Sequence, residues 1–468
     1  MVETNTTNND YHFPDDFWWG SAASATQIEG AASTGGKGMN IWDYWFQEEP
    51  NRFYDQIGPE QTSDFYHRYP EDIQLMKQLN HNSFRLSLSW SRIFPEGTGE
   101  INEEAIVFYH HVLDELLEAG IEPFVNLYHF DMPMAMQKIG GWENREVIDA
   151  FAAYAERCFA IFGDKVKKWF TFNEPIVPVE AGYLYNAHYP NVVDFTRATQ
   201  VAYNTMLAHA KAVQVFRHAD IPQGNIGIIL NVTPSYPRSN RPQDLESARI
   251  ADLLFNRSFL DPAVKGKYPQ ELITWLKEQG LFPKTEPGDS SLLREGVIDF
   301  LGINYYQPRR VKAKEHIPVP DSPMMPESFF DYYEMPGRKM NPYRGWEIYE
   351  KGVYDILIDL RDNYGNIECF ISENGMGVQN EERFMEENVI QDTYRIAFIK
   401  DHLKWIHRAL EEGANVKGYH LWTLMDNWSW LNAYKNRYGF ISVDLKTMTR
   451  TPKKSAWWFK EVIRNNGF

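Results

Sequence analysis

Two glutamates stand where packing gives no reason for them. Thr171-Phe172-Asn173-Glu174-Pro175 closes the apolar run from Val166 to Phe172, and Ile371-Ser372-Glu373-Asn374-Gly375 closes the run from Ile367 to Ile371. A carboxylate at the end of a buried strand packs poorly but is well placed to face a pocket mouth. Two of them at one mouth can act as acid and nucleophile on a single acetal bond.

Both need a frame that aims them. Short apolar runs near Phe17–Ala22, Phe84–Leu88, Pro123–Leu127, Val166–Phe172, Ile226–Leu230, Phe300–Asn304, Glu368–Ile371 and Gly418–Trp422 read as strands. Between them lie helical patterns such as Tyr69–Leu79, Ala105–Glu118, Arg145–Phe162, Ala198–Phe216 and Arg395–Glu412. Eight strands alternating with helices predict an α/β fold, a (β/α)8 TIM barrel with elaborated βα loops. No linker or low-complexity run divides the 468 residues. One catalytic domain spanning 1–468 is therefore expected, with residues 1–12 a flexible N-terminal tail. In such barrels the chemistry sits at the C-terminal strand ends. Glu174 at strand four and Glu373 at strand seven then face each other across one rim.

Composition narrows the function classes. The net charge of −17 argues against a nucleic-acid or membrane-surface partner, since both reward basic patches. Aromatics make up 15% of the chain, which leans towards sugar, whose rings pack on aromatic faces. Two cysteines, Cys158 and Cys369, read as buried thiols of a reducing compartment. The polar start, Met1 to Asp10, has no signal-peptide apolar core, and no stretch reaches membrane-spanning length. A cytoplasmic location follows as the expectation. No His/Asp cluster has ligand spacing, so no metal is expected.

Seven segments occur in order: Phe17-Trp18-Trp19-Gly20-Ser21-Ala22-Ala23 with Gln27 and Glu29; Arg85-Leu86-Ser87-Leu88-Ser89-Trp90-Ser91-Arg92; Leu127-Tyr128-His129; the Asn-Glu-Pro motif; Gly302-Ile303-Asn304-Tyr305-Tyr306; the Glu-Asn-Gly motif; and Leu421-Trp422-Thr423-Leu424-Met425-Asp426-Asn427. On these the chain resembles the family 1 glycoside hydrolases from Phe13 to nearly its C-terminus. The resemblance implies a retaining β-glycosidase needing no cofactor, with Glu174 as acid/base and Glu373 as nucleophile. Arg85 and Tyr306 are implied as partners of Glu373. Gln27, His129, Asn173 and Trp422 are implied to hold the sugar in subsite −1, with Asn304 beside them and Trp346 at the +1 entrance. Phe130 stands where many relatives have Trp.

The departure lies after strand eight. Many members carry Asn-Phe-Glu-Trp there, whereas this chain has Asn427-Trp428-Ser429-Trp430. A glutamate would repel a sugar 6-phosphate, and serine removes that repulsion while keeping a donor. With Tyr438 downstream, the segment resembles the phospho-β-glycosidase branch, in which a serine, a lysine and a tyrosine hold the phosphate. The lysine is displaced: Lys435 comes one place early and Asn436 stands in its position, so either is a candidate ligand. Trp430 bears on the sugar, because Trp after the serine tends to accompany galactosides. The expected partner is a small phosphorylated β-glycoside, cleaved by a 6-phospho-β-glucosidase. A 6-phospho-β-galactosidase, a dual enzyme and an ordinary β-glucosidase are the alternatives. Assembly into a homo-oligomer is left open.

On the aglycone side, the long segment Gln307 to Gly345 is expected to wall the +1 subsite with Phe329, Phe330, Tyr332 and Tyr333. Its basic run Arg309, Arg310, Lys312 and Lys314 reads as a solvated face or as an anion-steering patch.

Overall fold

The computed structural model describes residues 11–317, 319 and 321–468. Eight parallel strands close on themselves: β1 (Trp18–Ala22), β2 (Ser83–Ser87), β3 (Glu122–Asn126), β4 (Lys168–Asn173), β5 (Asn225–Asn231), β6 (Phe300–Asn304), β7 (Cys369–Asn374) and β8 (Val416–Trp422). Each pairs with its sequence neighbour, and β8 returns to β1 with Trp18 opposite Gly418 and Ala22 opposite Trp422. The expected (β/α)8 barrel is the fold.

The helices outside follow the apolar periodicity. Those at Glu103–Glu118, Arg145–Phe162 and Phe195–His218 each bury one face. Asn102, Asn144 and Asp194 cap them, accepting from Glu104 N, Glu146 N and Arg197 N at 3.2, 3.0 and 3.0 Å. Each cap is worth about 1 kcal/mol. Inside the barrel Trp18, Phe124, Phe170, Ile229, Phe300 and Phe370 form an aromatic plug. The plug fills the interior beneath the C-terminal mouth, the end at which barrels of this kind carry their chemistry.

Both carboxylate-bearing strands break their alternation just before the glutamate. In β4 Phe170 points into the plug, yet Thr171 bonds His209 Nδ1 at 2.7 Å and Phe172 packs on Phe151, both on the helical side. Two successive outward residues mark the irregular register between Phe170 and Asn173, which returns Asn173 to the interior. In β7 a similar slip falls between Ile371 and Glu373 and sets Glu373 opposite Asn304. Such bulges re-aim a side chain at the cost of a ladder bond. Glu373 therefore lies within β7, whereas the apolar run had suggested a strand ending at Ile371.

The start of the chain also departs from expectation. Residues 1–10 of the expected tail lie outside the described residues. Tyr11 and His12 are held to the C-terminus: Tyr11 N donates to Phe468 O at 3.2 Å, and His12 bridges Gly467. Among the described residues no helix is long and apolar enough to cross a membrane. Cys158 and Cys369 are both buried and unpaired.

Candidate active site

At the C-terminal mouth Arg85, fully buried on β2, organises its neighbours. Its Nη2 donates to Glu373 Oε1, and its Nη1 donates to Asn173 Oδ1 at 3.1 Å. The Tyr306 hydroxyl donates to Glu373 Oε2 at 2.5 Å. Both oxygens of Glu373 thus face strong donors, a setting suited to a carboxylate anion. Burial first, and then the charge of Glu373, pushes the Tyr306 phenol well up, so it stays protonated and donating.

Glu174 has the opposite setting. It follows β4 with φ +44°, a left-handed conformation that a non-glycine residue before proline rarely adopts. Its backbone N–H donates to Ile229 O at 2.8 Å, which fixes the turn. Burial and the charge of Glu373 push its carboxyl up to about 8. One oxygen, Oε1, accepts from Asn304 Nδ2 at 2.9 Å. A protonated acid beside an ion-paired carboxylate is the split that acetal cleavage requires.

The remaining sugar-site candidates gather here. Asn173 Oδ1 accepts from Arg85 and from Asn304 Nδ2 at 3.1 Å, so its Nδ2 faces His129 Nε2 at 3.2 Å. Burial, and then Arg85, holds the His129 imidazole well below its usual range, which keeps the ring neutral. The ring stacks on Trp422 at 5.8 Å and 18°. Gln27 lies under the same mouth, its amide donating to Trp428 O at 2.9 Å and accepting from Ser24 Oγ at 2.7 Å. Trp346 meets Tyr306 at 5.4 Å, and Trp430 packs on Trp42 and Phe130 at 4.3 and 5.4 Å. Phe130 keeps an aromatic ring at that contact. Glu29, part of the first motif, serves the scaffold: it accepts from Arg92 and Tyr109, both at 2.8 Å.

The glycine of the Glu-Asn-Gly motif has a steric reason. A Cβ at Gly375 would meet Trp422 O at 2.1 Å, and one at Gly377 would meet the Tyr438 ring at 2.4 Å. Close approach of the β7 and β8 loops needs both.

After β8 the candidates separate. No described protein group hydrogen-bonds the Ser429 hydroxyl, although its backbone N–H donates to Ala433 O at 2.7 Å. Tyr438 lies beside Trp422 and Ala22. Lys435 Nζ sits 5.6 Å above the Tyr54 ring. Asn436 is buried and donates to Tyr343 O at 3.3 Å, which ties it to another loop. The residue not anticipated is Arg344, whose Nε donates to the Tyr438 hydroxyl at 3.1 Å. It belongs to no motif and lies 94 positions from its partner, so only the fold brings it in.

The aglycone expectations are partly corrected. Phe330 is wholly buried against Phe255, and Phe329 packs on Trp275, so neither walls a subsite. Tyr332 and Tyr333 line a cleft of about 420 Å³ that also touches Tyr306 and Trp346. The basic run is neutralised: Arg309 pairs with Glu180, Arg310 with Glu347, Lys312 with Glu315 and Lys314 with Asp331. That pairing removes the anion-steering reading.

A (β/α)8 barrel with a proton-holding carboxyl and an ion-paired carboxylate at one mouth defines a two-carboxylate glycoside hydrolase. The chain belongs to glycosyl hydrolase family 1, whose profile matches residues 9–468. It is 66% identical over 460 residues to the 6-phospho-beta-glucosidase GmuD of Bacillus subtilis (strain 168), covering 98% of this chain and 99% of that one. It is 38% identical to a 6-phospho-beta-galactosidase of Clostridium acetobutylicum, over 96% of this chain and 97% of that one. Its fold superposes on the family 1 β-glucosidase from Thermotoga maritima with a TM-score of 0.90 at 37% identity, covering 99% and 100% of the two chains.

Proposed function

We propose that the protein is a retaining 6-phospho-β-glucosidase acting on small phosphorylated β-glucosides. The observation that carries the chemistry is the opposed pair, Glu174 pushed up to about 8 beside Glu373 held by Arg85 and Tyr306. Glu373 attacks the anomeric carbon while Glu174 gives its proton to the leaving oxygen. The new ester removes the charge of Glu373, so the second cause of the raised Glu174 pKa disappears. Glu174 then takes a proton from water, and the glycosyl-enzyme is hydrolysed with the anomeric configuration retained. Asn173, His129, Gln27, Trp422 and Asn304 orient the glycone, and Trp346 meets the aglycone.

The 6-phosphate assignment is supported by Ser429, whose uncharged hydroxyl has no hydrogen-bond partner among the described residues, by the Tyr438 phenol, and by the likeness to GmuD. A phosphorylated sugar does not cross a bilayer unaided, which fits the expected cytoplasmic location. Trp430 and the 6-phospho-beta-galactosidase relative favour galactosides as a second substrate. The test compares the p-nitrophenyl β-glucoside, its 6-phosphate and the galacto 6-phosphate. The gluco 6-phosphate should be turned over fastest, and equal rates with and without phosphate would overturn the phospho reading.

A further inference from the structure

A phosphate dianion in a chain of net charge −17 needs a local cation, and the basic groups near the β8 loop are mostly committed. Lys453 contacts Glu381 and lies 2.8 Å from Asp426. Arg395 pairs with Glu381 and with Asp392 at 2.9 Å. Arg437 lies 3.7 Å from Asp426 and donates to Val443 O at 3.4 Å. These three neutralise buried carboxylates beneath the loop. Arg344 and Lys435 form no ion pair among the described residues, and Lys435 rests against the exposed Tyr54 ring.

We infer that Arg344 supplies the cation that grips the 6-phosphate, in place of the lysine that Asn436 has replaced; this rests on the 6-phospho-β-glycoside reading above. Arg344 is half-buried, with its guanidinium 4.5 Å above the Trp346 ring, which holds its plane. Its Nε donates to the Tyr438 oxygen, so the phenol proton is directed elsewhere and is available to a ligand oxygen. Burial pushes that phenol up, and it remains a donor. No described protein group accepts from Nη1 or Nη2, which leaves a two-pronged donor of the geometry that phosphate oxygens accept.

The loop that carries Arg344 is fastened on both sides. Asn436 Nδ2 donates to Tyr343 O at 3.3 Å, and Asn341 Nδ2 donates to Gly377 O at 2.9 Å. Asn436 is therefore a positioning residue: where a lysine would bring the charge itself, an amide fastens the loop that brings it.

The test measures kcat and KM for p-nitrophenyl β-glucoside 6-phosphate and for the unphosphorylated glucoside in wild type, Arg344→Gln, Arg344→Lys and Lys435→Gln. The ratio of kcat/KM, phosphorylated over unphosphorylated, should fall about 10- to 100-fold in Arg344→Gln, the scale of a lost charge-assisted contact. KM for the phosphorylated substrate should carry most of that change. Arg344→Lys should recover part of it, and Lys435→Gln should move the ratio less. A wild type that prefers the phosphorylated substrate, with the preference intact in Arg344→Gln, would overturn the inference alone. Parallel losses on both substrates would do the same, since they would mean only packing on Trp346. A wild type with no preference would overturn the parent reading and this inference together.

Discussion

Asn304 donates from Nδ2 to Oε1 of Glu174 at 2.9 Å, and this bond makes the two oxygens of that carboxyl unequal. With Oε1 accepting, Oε2 has no hydrogen-bond donor among the described residues and is the oxygen from which the proposed mechanism would pass a proton to a leaving group. The same amide donates to Asn173 Oδ1, so the Glu174 carboxyl and the Asn173 amide are aligned by one side chain on β6. β6 stands between β5 and β7, with Asn304 opposite Glu373 in the register. The link between the two carboxylates thus runs through a strand that bears neither.

The raised pKa of Glu174 sets the alkaline limb of activity. As the proposed general acid, Glu174 must be protonated, so kcat/KM should fall as pH rises through about 8. Asn304 lowers that pKa, so Asn304→Ala should move the limb to higher pH. Stability follows with a definite sign. The folded protein keeps this proton up to about 8, while an ordinary glutamate releases it near 4.5, so this group's contribution is lost as pH rises across that window. Thermal melts should show Glu174→Gln gaining on wild type between pH 5 and pH 9 by roughly a few kcal/mol. A constant gap between the two would contradict the burial of a protonated acid.

Glu373→Gln should reduce turnover by about 10,000-fold or more, the scale of a lost nucleophile. It should also lower the pKa of Glu174, because the charge of Glu373 is the second cause raising it. Carbon-13 NMR of labelled glutamates would follow Glu174 in the inactive variant. An unmoved titration would mean that burial alone sets its value.

Ser429→Glu restores the carboxylate common in the family. Like-charge repulsion should cut kcat/KM for the 6-phosphate by at least about tenfold relative to the unphosphorylated glucoside. Steady-state rates on the two substrates give the ratio, and a parallel change in both would remove Ser429 from phosphate recognition.

Below the β8 loop, Arg395 is wholly buried and bonds Glu381, Asp392 and the Met376 carbonyl. Arg395→Ala should cost about 3–5 kcal/mol in urea unfolding, because two buried carboxylates each lose one charged partner. A loss under about 1 kcal/mol would mean that Lys453 and water compensate.

The barrel and its two glutamates were legible because each depends on local pattern. Apolar runs of strand length alternate with helical periodicity, and a carboxylate directly after such a run is conspicuous whatever surrounds it. The seven motifs then assigned Arg85, Asn173, Tyr306 and Trp422 to one mouth, and the structure brings them there. Other features depend on distant backbone and left no local signal. The bulges in β4 and β7 that aim Asn173 and Glu373 arise from register against neighbouring strands. Phe329 and Phe330 looked like subsite walls, but Trp275 and Phe255 cover them. The basic run from Arg309 to Lys314 looked free until its carboxylate partners folded against it. Arg344 shows the division most plainly: its type, an arginine in a long loop, is in the sequence, while its meeting with Tyr438 exists only once the barrel closes. Local chemistry and periodicity pointed to the strands and to Glu174 and Glu373 as the candidate pair, and closure of the barrel decided which charges among the described residues stayed unpaired beside Tyr438.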